Sequence, residues 1–258
     1  VILFQLIMTG NGRSIFSNIP PITKNLIIIN FIIWVAMLVL PSKLGIDMER
    51  IGGLHYFESP WFNPAQLFTY MFMHSTTDFG HLFFNMFGLL MFGSLLERVF
   101  GRTRFLFYYI SVGVGAALIQ EGVYAVWISA ISSGVDSVGY VIDEGARALV
   151  NGQNFVDPSL VQINVLANIP TIGASGAIYG ILLAFGMLFP NMPLYIMFFP
   201  VPVKAKWMVI GYGAIELFLG ITGFQSGVAH FAHLGGMLVG LFIILYWRKK
   251  GIVDGRFY

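Results

Sequence analysis

A serine that attacks a carbonyl needs a base beside it and donors for the oxyanion that forms. This chain sets those residue types into apolar stretches, where polar side chains are expensive. Ser175 lies in TIGASGAIYGILLAFGMLFP, residues 171–190, between Gly173 and Gly176, and His233 lies near the start of HFAHLGGMLVGLFIILYW at 230–247. Pro170 and Thr171 read as the approach and N-cap of a helix, and Pro190 as its stop. The Ser175 hydroxyl is then expected near a first turn, where unpaired N–H groups and the positive dipole end favour a developing negative charge. His81 and Asn85, spaced i, i+4, share a helix face and offer imidazole and carboxamide donors of the kind that hold an oxyanion. Tyr179, one turn below Ser175, is placed to stack on His233. These residue types describe a serine hydrolase built inside a membrane.

Two rows of small residues would bring the pair together. Gly176, Gly180 and Ala184 recur every four residues below Ser175, and Gly236 and Gly240 lie below His233. Helix faces without bulk approach closely in membranes. No acidic residue completes a triad in this reading: Glu216 falls midway along a spanning stretch, too deep, and Asp78 lies near the surface. A Ser–His dyad is therefore expected, its imidazole held by packing. His230 and His233, at i, i+3, could suggest a metal site, but no carboxylate or thiolate stands near them in the sequence. Neither a metal nor another cofactor is expected. HExxH, paired aspartates on facing helices and a phosphate-binding glycine loop are all missing from the sequence.

The elements that must position these residues follow from composition. Of 258 residues, 57% are hydrophobic and 10% charged, and the mean hydropathy is +0.79. Such a chain is an all-α, multi-pass protein whose main partner is the lipid bilayer. There is no cysteine and no basic stripe of the nucleic-acid-binding kind. Six spans are expected, at about 25–40, 79–96, 105–126, 171–190, 207–221 and 229–247. Residues 41–66 read as an interfacial loop rich in aromatics, and 128–170 as short helices lying at the membrane surface. The opening VILFQLIM lacks the basic region and cleavage site of a signal peptide and reads as an interfacial helix. Eleven of the fourteen Lys and Arg residues fall on the side holding both ends of the chain. By the positive-inside rule that side is cytoplasmic, which puts Ser175, His233 and His81 near the outer face.

At this point the residues resemble a known family, the rhomboid intramembrane serine proteases. The resemblance rests on HLFFN at 81–85, LERVFG at 96–101, GASGAIYG at 173–180 and HLGGMLVG at 233–240, in this order. It implies a six-helix rhomboid-like bundle over 25–247, with an N-terminal arm at 1–24 and a tail at 248–258. It implies that Ser175 is the nucleophile and His233 the base. His81, Asn85 and the Ser175 N–H would bind the oxyanion, with Tyr179 and Gly173 supporting. Glu97 and Arg98 match a structural Glu-Arg pair. The substrates would be transmembrane proteins, cut in or beside their membrane segments, and the location a bacterial plasma membrane. In the first loop the family's Trp-Arg pair is altered, since Phe62 follows Trp61. Phe224 and its neighbours at 222–229 would form a lid, and helix five or the first loop a side opening. The rival readings are an inactive rhomboid-like protein that binds membrane clients, and a channel or transporter whose ion path Glu121 and Glu216 would mark.

Overall fold

The computed structural model describes residues 19–195, 201–222 and 228–253. In chain order they form α1 (Pro21–Leu44), α2 (Met48–Gly52), α3 (Gln66–Thr69) running into a 3-10 turn at Tyr70–Phe72, α4 (Phe79–Phe100) and α5 (Arg102–Ile131). Next come α6 (Val138–Val150), α7 (Pro158–Asn168), α8 (Ser175–Leu188), the strands β1 (Pro193–Tyr195) and β2 (Pro202–Lys204), α9 (Ala205–Thr222) and α10 (His230–Lys249). Five helices, α1, α4, α5, α9 and α10, are long and apolar enough to cross a bilayer. The chain is a mostly helical, multi-pass membrane protein.

The sixth expected span, α8, is shorter. Its 14 residues give about 21 Å of helix against a hydrocarbon core of about 30 Å. Thr171 does not cap it, contrary to the expectation from sequence. Thr171 instead exchanges backbone hydrogen bonds with Leu54, at 2.9 and 2.8 Å, and Ala174 stands at the N-cap with no side-chain acceptor. Between them Gly173 turns the chain with φ +120°, a value that favours glycine. Its N–H donates to the Tyr70 carbonyl at 3.0 Å. Non-helical backbone at membrane depth is tolerated where protein satisfies its polar groups, and here Leu54 and Tyr70 do so.

α8 forms the centre of the bundle, with Ala177, Ile181, Ala184, Phe185 and Leu188 buried. It meets α10 along the two glycine rows. A methyl group on Gly236 would run into the Gly176 carbonyl oxygen, and one on Gly240 would lie 3.2 Å from the Gly180 Cα. Tyr108 of α5 closes the third side by donating to the Gly180 carbonyl at 2.7 Å. The opposite end of the bundle is tied by charge. Glu97 accepts from the N–H groups of Ile22 and Thr23 and from the Thr23 hydroxyl, at 2.9, 2.7 and 2.8 Å. It thereby caps α1 from another helix, which Pro20 at the N-cap cannot do itself. Arg248 of α10 donates to the Met187 carbonyl of α8 at 2.8 Å.

The stretch 128–170 contains two helices, as expected. Ser137 and Asp157 cap α6 and α7 through their side chains. Ile142, Ile163 and Ala167 pack against Tyr56 and Ile128. Asn168 joins this unit to the first loop: its Oδ1 accepts from the Ser59 hydroxyl at 2.6 Å, and its Nδ2 donates to the Ile142 carbonyl at 2.9 Å. The loop's Trp61 has Arg50 over its ring, the guanidinium carbon lying 5.6 Å from the ring centroid. The basic hairpin between α8 and α9 is a two-stranded antiparallel ribbon, Leu194 opposite Val203.

Candidate active site

Ser175 is the first residue of α8 and is half-buried, with helix N–H groups around it that lack intrahelical acceptors. His233, on the first turn of α10, is buried. The glycine contact between α8 and α10 lies directly below them and fixes their separation: His233 Nε2 stands 2.7 Å from Ser175 Oγ. Tyr179 lies parallel to the His233 ring, centroids 4.3 Å apart and planes within 6°.

His81, at the start of α4, completes the mouth of the site. The Ser75 N–H donates to its Nδ1 at 3.3 Å, which leaves the ring proton on Nε2. That Nε2 points toward the side-chain position Gly173 leaves open. An atom there would sit 2.7 Å from His81 Nε2 and 3.8 Å from Ser175 Oγ. A carbonyl oxygen in the same space would meet a donor beside the attacking hydroxyl. Asn85 is buried one turn further along, but its Nδ2 donates to the His81 carbonyl at 2.7 Å. One amide hydrogen is thus spent within α4, and the structure does not bring Asn85 into contact with Ser175.

Sequence reasoning missed the acidic member of the cluster. Glu216 of α9 is buried, its Oε2 lying 2.7 Å from His230 Nδ1 and 3.0 Å from His233 Nδ1. Its Oε1 accepts from the Tyr179 hydroxyl. Both earlier judgements fail here: Glu216 is not too deep, and the two histidines do have a carboxylate neighbour. Their error has one cause. A short α8 sinks Ser175 itself, so a carboxylate six residues from the end of α9, roughly 9 Å below it, is level with the serine. The usable signal was present, because an ionisable residue in a span is a functional candidate by default. Glu121, the other acid of the channel reading, accepts from the Phe57 N–H at 2.9 Å and so ties the first loop to α5. Phe224 lies outside the described residues, as does VILFQLIM.

Glu216, His230 and His233 are also the one group of three among the described residues able to offer a metal three ligand atoms. Ligands on a tetrahedral zinc, each about 2.0–2.1 Å from it, stand about 3.3 Å apart. The 2.7 Å between Glu216 and His230 is instead a hydrogen-bond distance.

A profile of the Rhomboid domain matches residues 62–250. The chain belongs to the rhomboid family. Over 215 residues this rhomboid is 32% identical to the RHOMBOID-like protein 12, mitochondrial, of Arabidopsis thaliana, covering 83% of this chain and 51% of that one. It is 27% identical over 175 residues to Rhomboid protein 1, mitochondrial, of Saccharomyces cerevisiae, covering 68% and 40%. It is 30% identical over 177 residues to the Rhomboid protease AarA of Providencia stuartii, covering 67% and 52%. The chain thus spans about half the length of these relatives, or less.

Proposed function

We propose that this rhomboid is an intramembrane serine endopeptidase that cuts transmembrane or juxtamembrane segments of other membrane proteins. The observation that carries the reading is the 2.7 Å contact between Ser175 Oγ and His233 Nε2 at the sunken start of α8. His233 takes the serine proton while the oxygen attacks a peptide carbonyl. The Ser175 N–H and His81 Nε2 hold the oxyanion; Asn85 joins them if its free amide hydrogen turns outward on binding. The protonated His233 then gives its proton to the leaving amine, and water hydrolyses the acyl-enzyme. The relative named as a rhomboid protease supports this reading.

A substrate helix engages its carbonyls in its own backbone hydrogen bonds, so it must unwind before attack. Sequences rich in helix-weak residues around the cut are favoured for that reason. In this reading the catalytic core is the span 25–247 drawn from sequence. The basic ends of α4 and α10 face the compartment from which the chain was inserted. For the sequence reading of a bacterial plasma membrane the comparisons give no support, since two of the three relatives carry "mitochondrial" in their names. Replacing Ser175 with Ala is expected to abolish cleavage of a reporter transmembrane substrate in liposomes while leaving the fold intact. A fluorophosphonate probe should label the wild type and not the variant. Cleavage by Ser175→Ala at the wild-type rate would refute the assignment.

A further inference from the structure

Resting on the assignment of Ser175 and His233, we propose that Glu216 is a positioning residue for the reaction. It fixes the tautomer of His233 and supports the imidazolium that forms when the ring takes the serine proton. One buried carboxylate faces three groups. Oε1 takes the Tyr179 hydroxyl, whose ring lies flat on His233; Oε2 lies 2.7 Å from His230 Nδ1 and 3.0 Å from His233 Nδ1. A carboxylate in an apolar bundle is held by donors, and both histidines present Nδ1 to it. With its proton on Nδ1, His233 offers the lone pair of Nε2, the atom that faces Ser175 Oγ.

The contact from Glu216 to His233 is short but not aligned as a hydrogen bond. In the resting site the carboxylate meets the N–H dipole of a neutral ring, and the attraction strengthens as the ring becomes positive. Such tightening on the way to the transition state is common at catalytic hydrogen bonds. No proton need pass to Glu216: the ring carries the serine proton on Nε2 and keeps its own on Nδ1. The Tyr179 stack and the His230 contact then keep the carboxylate from swinging away. The groups facing the His233 ring are Ser175 and Tyr179 from α8, Glu216 from α9, His230 from α10 and His81 from α4. Glu216 is the one acid among them.

The test compares wild type, Glu216→Gln and Ser175→Ala in liposomes, with kcat and KM measured across pH. Glu216→Gln should lower kcat about 100-fold or more, with KM within about threefold. Losing an anion beside the ring should also move the acidic limb of the kcat profile to lower pH. A merely structural role would reduce the amount of folded enzyme without moving that limb. In parallel, 15N shifts of the labelled His233 ring should report the Nδ1–H tautomer in the wild type and its loss in Glu216→Gln. If the glutamine variant does not fold, Glu216→Asp, which keeps the charge but draws it back by one methylene, is judged on the fall in kcat and on the ring shifts alone. A kcat within threefold of wild type with an unmoved limb would overturn the proposal. So would an unchanged tautomer, or wild-type activity that follows zinc and chelator while Glu216→Gln ignores both. A wild type no more active than Ser175→Ala would instead sink the serine assignment, and the ring shifts would still judge Glu216.

Discussion

His74 shows what a single unpaired ring does to this protein. It is fully buried beside His81, ring centroids 5.2 Å apart, and neither of its nitrogens makes a well-aligned hydrogen bond. Burial first, and the neighbouring histidine second, push its pKa down to about 3. The folded protein therefore holds His74 neutral, while the unfolded chain binds a proton below about 6.5. Its contribution to stability is complete above that value and is lost as pH falls toward 3. At pH 5 the loss amounts to roughly 2 kcal/mol. Unfolding in detergent micelles at pH 7.5 and 5 should show that fall in the wild type and a shallower one in His74→Gln. Equal falls in the two proteins would place the acid sensitivity elsewhere.

Between helices, the decisive contact is glycine on glycine. Gly236→Ala would push a methyl into the Gly176 carbonyl, which cannot move without shifting α8. A loss of about 1–3 kcal/mol is expected, together with activity, because the same contact sets the distance from Ser175 to His233. Gly122→Ala is the control: nothing lies within 4 Å of that position, and alanine suits a helix better. This contact was legible in the sequence, since four-residue spacing of small residues has few other uses in a span. Ser175, His233, His81 and Tyr179 were legible too, each an oddity in an apolar stretch. What could not be read was depth. A hydrophobic run of twenty residues, 171–190, gives no sign that its first four stay outside the helix, with Thr171 bonded to Leu54 and Gly173 to Tyr70. With the helix start misplaced, Glu216 was set at the wrong level. Partners that arise from three-dimensional reach, such as Arg50 for Trp61 or Glu97 for Thr23, left no local trace either.

Across the whole molecule, the first loop and the α6–α7 unit behave as one piece above the helices. Asn168 is its pin, buried and bonded to Ser59, Ile142 and Asn164. Asn168→Leu would strand three polar groups, and a loss of about 2–4 kcal/mol is expected from thermal unfolding in micelles. Hydrogen exchange should rise in 54–62 and 138–168 together, and not in α10. On the flank, α9 turns Trp207, Ile210, Phe218 and Ile221 outward. It also carries Glu216, whose Oε2 lies 3.0 Å from His233 Nδ1. On the role proposed for Glu216, any tilt of α9 away from the bundle would draw the carboxylate off the ring and leave Ser175 without a poised base. A segment arriving past α9 would then meet a working pair only after α9 had returned to its place.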